Sequence, residues 1–191
     1  MKWHPHDYGV EIYRELDRAR LATLSPAEAE EAGEAESLAG NQMYSDLRGF
    51  TWADVAKAIA IERAVITRLQ QADDLETEAE NWDEERHQAT EFEDELWSLD
   101  VGVAAATIVL SAMGATPVGS CNAGGFGGQH QASHPYVAFF ASPDAADDIL
   151  GIATAADVGL VVGDDGIARI YGRSDLDLLH FAETAIALRC E

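Results

Sequence analysis

The sequence has few basic residues and almost no lysine. Lys2 and Lys57 are its only lysines, and 12 basic side chains stand against 35 acidic ones, so the 191-residue chain carries a formal net charge of −23. Such a charge repels the phosphate backbone of nucleic acids, and we expect no binding to duplex DNA or RNA. The acidic surface is expected either to keep the protein in solution or to bind a basic protein partner.

Cysteines and long apolar segments are scarce as well. The two cysteines, Cys121 and Cys190, are too few for a disulfide framework. The longest apolar segment, residues 101–115, falls short of the roughly 20 residues that a membrane-spanning helix needs. The first residues contain no apolar signal core. We therefore expect a cytoplasmic protein that does not insert into membranes.

Hydrophobic residues make up 47% of the chain, which is enough for a buried core. In residues 1–97 their spacing is mainly helical. It predicts a helix over 7–23, a second near 52–71 that Thr51 caps, and a long acidic helix that begins near Asp73. We expect this helical region to pack on the rest of the protein or to form an arm.

In residues 98–191 helix and strand patterns alternate. The predicted order is α-β-β-α-β-β-α, which is typical of an α+β fold in which helices cover a four-stranded sheet, a two-layer α/β sandwich. We expect residues 98–191 to form this domain beside the helical region. The predicted strands cover residues 116–121, 136–140, 159–162 and 167–171, and the predicted helices cover 99–113, 142–156 and 174–188.

A glycine-rich loop at residues 119–134 concentrates the reactive side chains of the second half. Cys121, His130 and His134 supply one thiolate and two imidazoles, which are ligands that suit zinc. Three protein ligands with an open fourth position would form a catalytic metal site. The spacing Cys-x8-His-x3-His matches no standard zinc finger, so the metal site is one of three interpretations.

The second interpretation makes Cys121 a catalytic nucleophile that a neighbouring imidazole activates, with Asn122 stabilising an oxyanion. The third is structural, because free cysteine is often buried and glycines allow tight turns. A small ligand bound at this loop would be held by Ser120 and Asn122, and Arg169 and Arg173 could clamp an anionic ligand. The sequence leaves these alternatives open.

The segment 114–139 also resembles a known pattern. The residues that carry it are Gly114, Thr116, Ser120, Cys121, Gly124, Pro135, Tyr136 and Phe139. They are similar to a motif of small α/β proteins of the Tyw3-like family, which acts in wybutosine synthesis on tRNA. The sequence departs from that motif, since it has one residue more before its glycine and no histidine directly after it. The resemblance implies that Ser120 and Cys121 lie at the edge of a site.

Two functions follow as expectations. The first is a metal or small-ligand site in the loop 119–134, and the sequence does not decide whether this site is catalytic. The alternative is a non-enzymatic acidic interaction module, which binds a basic partner or self-associates through helices 51–97.

Overall fold

The computed structural model describes residues 2–22, 47–88, 96–97, 99–128 and 131–189. His130 and Cys190 are among the positions outside the described residues, as are the side chains of His87 and Gln88. The described part of the chain has five helices and a five-stranded mixed sheet. This arrangement confirms the predicted α+β fold.

The elements follow the predicted order from the third helix onward. The helices are α1 (Trp52–Gln71), α2 (Leu75–Gln88), α3 (Ala104–Ala112), α4 (Pro143–Ala155) and α5 (Asp177–Arg189). The strands are β1 (Arg14–Glu15), β2 (Thr116–Cys121), β3 (Tyr136–Phe140), β4 (Gly159–Val162) and β5 (Ala168–Tyr171). Their order in the sheet is β1-β4-β5-β3-β2, in which β1 is parallel to β4 and the other neighbours are antiparallel.

The first helix begins where the sequence predicts. Thr51 is its N-cap, and the Thr51 side chain accepts a hydrogen bond from the backbone N–H of Asp54. The carboxylate of Asp54 accepts one in return from the backbone N–H of Thr51 at 2.7 Å. This capping box satisfies two N–H groups that the first turn of a helix leaves without partners. The buried residues of α1 include Val55, Ile66 and Leu69.

The third helix is buried nearly all round, and its N-terminus has no side-chain cap of its own. The carboxylate of Glu62, on α1, accepts hydrogen bonds there from the backbone N–H groups of Gly102 (2.7 Å), Ala104 (3.0 Å) and Ala105 (3.0 Å). A buried carboxylate therefore joins α1 to α3. No helix in the described part of the chain is both long enough and apolar enough to cross a membrane.

The helix predicted over residues 7–23 is wrong for the described part of that range. Residues 7–22 run along the sheet, where the backbone N–H of Leu160 donates to the carbonyl of Tyr13 at 2.8 Å. The backbone N–H of Tyr13 donates to the hydroxyl of Tyr171 at 2.9 Å. These pairings give the backbone N–H and C=O groups hydrogen-bond partners. A short helix on its own has little stability, so pairing with the sheet is the more stable conformation of this segment.

One face of the sheet carries the hydrophobic core. Val137 and Phe139 of β3, Leu160 of β4 and Ile170 of β5 are fully buried. They belong to one core cluster with residues of α1, α3, α4 and α5. Residues on both sides of position 97 enter this core, and a domain boundary at that position stays a prediction.

The opposite face of the sheet carries a different set of side chains. Since successive residues of a strand point to opposite faces, Tyr136 and Tyr171 lie on this face, and they are paired across β3 and β5. Val161 and Arg169 are paired there across β4 and β5. None of these four residues belongs to the core cluster of the described residues. The two tyrosines and the arginine therefore lie on the face of the sheet opposite the one that packs against the helices.

Candidate functional site

The glycine-rich segment after β2 folds into a turn that Asn122 organises. The Asn122 amide donates to the carbonyls of Val101 (3.0 Å) and Gly125 (2.8 Å), and its oxygen accepts from the N–H of Gly124 at 3.1 Å. Asn122 is 4% exposed. Its hydrogen bonds within the chain show that this side chain builds the turn.

The glycines of this turn are required by close packing. A Cβ at Gly127 would lie 2.4 Å from the Cβ of Ala79 on α2. A Cβ at Gly128 would lie 2.4 Å from the side-chain oxygen of Asn122. Both distances are shorter than any ordinary contact between such atoms. These glycines therefore have the structural role that the third interpretation of the loop assigns to them.

Cys121 ends β2 with its side chain 7% exposed. Its sulfur accepts a hydrogen bond from the backbone N–H of Ala123 at 3.3 Å. Burial raises the pKa of the Cys121 thiol above its ordinary value. Because the thiolate is the nucleophilic form, this environment disfavours attack by Cys121. Its catalytic role stays a prediction.

His134 lies just before β3, and its ring contacts a residue of β5. The centroids of the His134 and Tyr171 rings are 5.1 Å apart. Since β3 lies between β5 and β2, this contact turns the imidazole toward β5, whereas Cys121 lies on β2. The hydroxyl of Ser133 lies 2.9 Å from His134 Nδ1, and burial lowers the pKa of His134. The imidazole is therefore neutral at pH 7.

The proposed zinc ligands are only partly described. His130 lies outside the described residues, so its distance from Cys121 or His134 is not part of the structure. Among the described residues, no group of three or more His, Cys, Asp or Glu side chains is arranged to hold a metal ion. Zinc binding by Cys121, His130 and His134 stays a prediction.

The other predicted ligand-binding residues lie apart from one another. Ser120 is half-buried on β2, opposite Val137 of β3. Arg169 makes a two-point contact with the Asp165 carboxylate, at 2.6 and 3.1 Å. Arg173 forms an ion pair with Asp157. Carboxylates of the same chain therefore already engage both guanidinium groups.

The sequence did not predict a tyrosine cleft, which lies on the sheet face opposite the core. Its volume is about 650 Å³. The residues that line it are Val10, Glu11, Tyr13, Ala132, Ser133, His134, Tyr136, Val161, Arg169 and Tyr171. The cleft lies between the end of the glycine-rich loop and the N-terminal segment. The alternation of Tyr136 with Val137, and of Tyr171 with Ile170, was the signal for side chains on a second face.

Tyr171 is the fixed wall of the tyrosine cleft. Its hydroxyl donates to the carbonyl of Glu11 at 3.0 Å and accepts from the N–H of Tyr13 at 2.9 Å. Its ring covers Gly159, where a Cβ would lie 2.2 Å from the ring. Tyr13 is the accessible wall, because half of its surface is exposed. The cleft therefore combines a rigid aromatic wall with an accessible one.

Comparison with protein-family models, with curated proteins and with solved structures gives no match to this chain. The resemblance to Tyw3-like proteins stays a prediction.

A second network holds the N-terminal segment against the glycine-rich turn. The hydroxyl of Tyr8 donates to the Asp175 carboxylate at 2.7 Å, and Asp175 also accepts from the backbone N–H of His6 at 3.1 Å. Burial, with Asp175 beside it, raises the pKa of Tyr8 above its ordinary value. Tyr8 therefore stays protonated and keeps this hydrogen bond. The network was not predicted, because its members are more than 160 residues apart.

Proposed function

We propose that the protein binds a small, planar, mainly apolar molecule in the tyrosine cleft. The observation that carries the proposal is a concave surface of about 650 Å³ bounded by three tyrosine rings and one imidazole. Small-molecule sites have volumes of roughly 300–1,000 Å³ and are lined mainly by apolar and aromatic groups with a few polar ones. This cleft is a different site from the one expected around Cys121, and His134 and Arg169 are the predicted site residues that line it.

The charges of the cleft disfavour an anionic ligand. Arg169 is the basic residue that lines the cleft, and Asp165 offsets its charge. The carboxylate of Glu11 accepts a hydrogen bond from the hydroxyl of Tyr13. His134 is neutral because its pKa is lowered. A phosphate or carboxylate ligand would find no unpaired positive charge on these described residues, whereas an aromatic ring would stack on the tyrosines.

The proposal is tested by titrating the protein with 2-naphthol, a neutral planar probe, and following binding by saturation-transfer NMR. We expect Tyr136→Ala to weaken binding about two- to thirteenfold, because one stacked aromatic pair contributes about 0.5–1.5 kcal/mol. Tyr136 lies on the cleft face of β3 and lines the cleft.

Phe140→Ala is the matched control. Phe140 is four residues farther along β3, on the same face, and does not line the tyrosine cleft. Its substitution should leave the affinity for 2-naphthol unchanged. Equal weakening by Tyr136→Ala and Phe140→Ala, or no binding to the wild-type protein, would contradict the proposed site.

The other functions expected from the sequence are separate proposals. Zinc binding would need the loop around His130 to bring its imidazole to Cys121 and His134. Self-association through helices 51–97 has no supporting observation among the described residues. Binding of a basic partner by the same helices is supported by one observation, an acidic groove that borders α2.

A further inference from the structure

A groove separate from the tyrosine cleft runs between α2 and the glycine-rich turn. Its volume is about 730 Å³. Ala79 and Trp82 line it from α2, and Val101 and Phe126 line it from the other side. The turn at Gly125–Gly127 packs directly against α2. Val101 and Phe126 belong to the hydrophobic core, and Ala79 and Trp82 pack against it. These four side chains form an apolar floor.

The groove has an acidic rim. Glu76, Glu80 and Asp83 line it from α2, and Asp100 lines it from the other side. The spacing of four and three residues places the three carboxylates of α2 along one face of the helix. Arg86 is the basic residue among those that line the groove, at the C-terminal end of the same face. The rim therefore has a net negative charge.

Two of these carboxylates are available to a partner. Glu76 and Glu80 are exposed, and neither forms an ion pair within the described part of the chain. Glu78 and Glu85, elsewhere on α2, both form ion pairs with Arg68 of α1. The helix therefore uses one set of carboxylates to bind α1 and presents another set along the groove.

We infer that the groove binds a basic peptide segment in which one apolar residue separates two arginines. Side chains two residues apart on an extended peptide lie about 7 Å apart on one side. Glu76 and Glu80 are one helical turn apart, a rise of about 6 Å. The two arginines can therefore each meet one carboxylate, and the residue between them faces the apolar floor. Trp82 adds an aromatic surface on which a guanidinium group stacks favourably.

The inference is tested with a fluorescein-labelled Gly-Arg-Leu-Arg-Gly peptide, whose binding to the full chain is followed by fluorescence anisotropy at low salt. Removal of both groove carboxylates in the double variant Glu76→Gln/Glu80→Gln should weaken binding at least tenfold. Both residues are exposed, so this variant is expected to fold like the wild-type protein.

The matched control is the double variant Asp144→Asn/Asp148→Asn. It changes the net charge by the same amount on exposed residues of α4, which do not line the groove. It should weaken binding less than twofold. A peptide with glycine in place of leucine should bind at least threefold more weakly to the wild-type protein, because it lacks the apolar contact.

Three results would overturn the inference. Equal weakening by the two double variants would mean that the overall charge of −23 attracts the peptide without a defined site. Equal affinity for the leucine and glycine peptides would exclude a role for the apolar floor. Absence of binding to the wild-type chain at low salt would exclude the groove as a site for this class of peptide. None of these results bears on the tyrosine cleft.

Discussion

At the scale of single residues, Glu62 is a side chain through which the stability of the fold should depend on pH. It is fully buried, and it accepts three backbone hydrogen bonds at the start of α3. Burial raises its pKa to about 7, although the three N–H donors oppose the shift. A carboxyl group whose pKa is higher in the folded state stabilises the fold at low pH and loses that contribution as pH rises.

We predict that the free energy of unfolding of the wild-type protein falls between about pH 5 and pH 8 through Glu62. The ordinary pKa of this group is 4.5 and the folded value is about 7. A shift of this size corresponds to roughly 3 kcal/mol, because one unit equals about 1.4 kcal/mol. Glu62→Gln, which does not titrate, should remove this fall in urea denaturation measured across the pH range. Glu80→Gln, an exposed control on α2, should keep it.

A second residue-scale prediction concerns Gly127. Its φ is +82°, and a Cβ there would contact Ala79 of α2 at 2.4 Å. Gly127→Ala should therefore lower the free energy of unfolding by about 2 kcal/mol, from backbone strain and overpacking together. Urea denaturation measures the change, and the double variant Gly127→Ala/Ala79→Gly should lose less stability than the sum of the losses of the two single variants.

The control for Gly127→Ala is the same substitution at Gly151, inside α4. A Cβ at Gly151 would have open space around it, and alanine is the better helix former by about 1 kcal/mol. Gly151→Ala should therefore stabilise the protein slightly. If both substitutions had the same effect, the contact between Gly127 and α2 would not be important for stability.

At the scale of helices and strands, much of the fold was predictable from local signals. Strand β2 at Thr116–Cys121 and strand β3 at Tyr136–Phe140 have the predicted bounds, and Thr51 caps α1 as predicted. These elements have a clear spacing of hydrophobic residues, and α1 also has a residue that favours the start of a helix. The helix expected over 7–23 is wrong because its pattern was weak and pairing of β1 with β4 decides its conformation.

The candidate sites were much less predictable at the same scale. Ligand binding by Asn122 stays a prediction, and the hydrogen bonds of its side chain to Val101 and Gly125 were not predicted. The tyrosine cleft unites residues near position 13, position 134 and position 171. No local spacing relates these positions, because the order of strands in the sheet brings them together. The alternation of each strand shows only which residues share a face.

At the scale of the whole molecule, the net charge of −23 dominates the electrostatics. Like charges repel one another most strongly in the compact state, so this charge lowers the stability of the fold. Ion pairs such as Arg18–Asp147 and Arg20–Asp164 stabilise the fold. They are exposed, and exposed ion pairs contribute little. Repulsion should therefore outweigh them.

We predict that sodium chloride raises the Tm of the protein by several degrees as its concentration increases from about 10 mM to about 300 mM. Over this range the screening length falls from roughly 30 Å to below 10 Å, which removes most of the repulsion between exposed carboxylates. Differential scanning calorimetry measures the change. Sucrose at matched osmolality is the control for effects unrelated to charge, and a Tm that fell with added salt would show that the ion pairs dominate.

Composition and neighbouring residues along the chain were enough to predict several properties of the protein. These are the acidic charge, the α+β class, the bounds of β2 and β3, and the capped start of α1. The charge follows from composition, whereas the strand bounds and the helix start depend on residues within a few positions of one another, where periodicity and capping act directly.

Contacts between residues that are distant in sequence became known from the folded structure alone. It placed Glu62 at the start of α3, about 40 residues away along the chain, and paired β1 with β4 across more than 140 residues. It also put the tyrosine cleft on one face of the sheet and the acidic groove beside α2. Backbone pairing and burial act between elements whatever their separation in sequence. Local patterns therefore do not predict which helices and strands become neighbours.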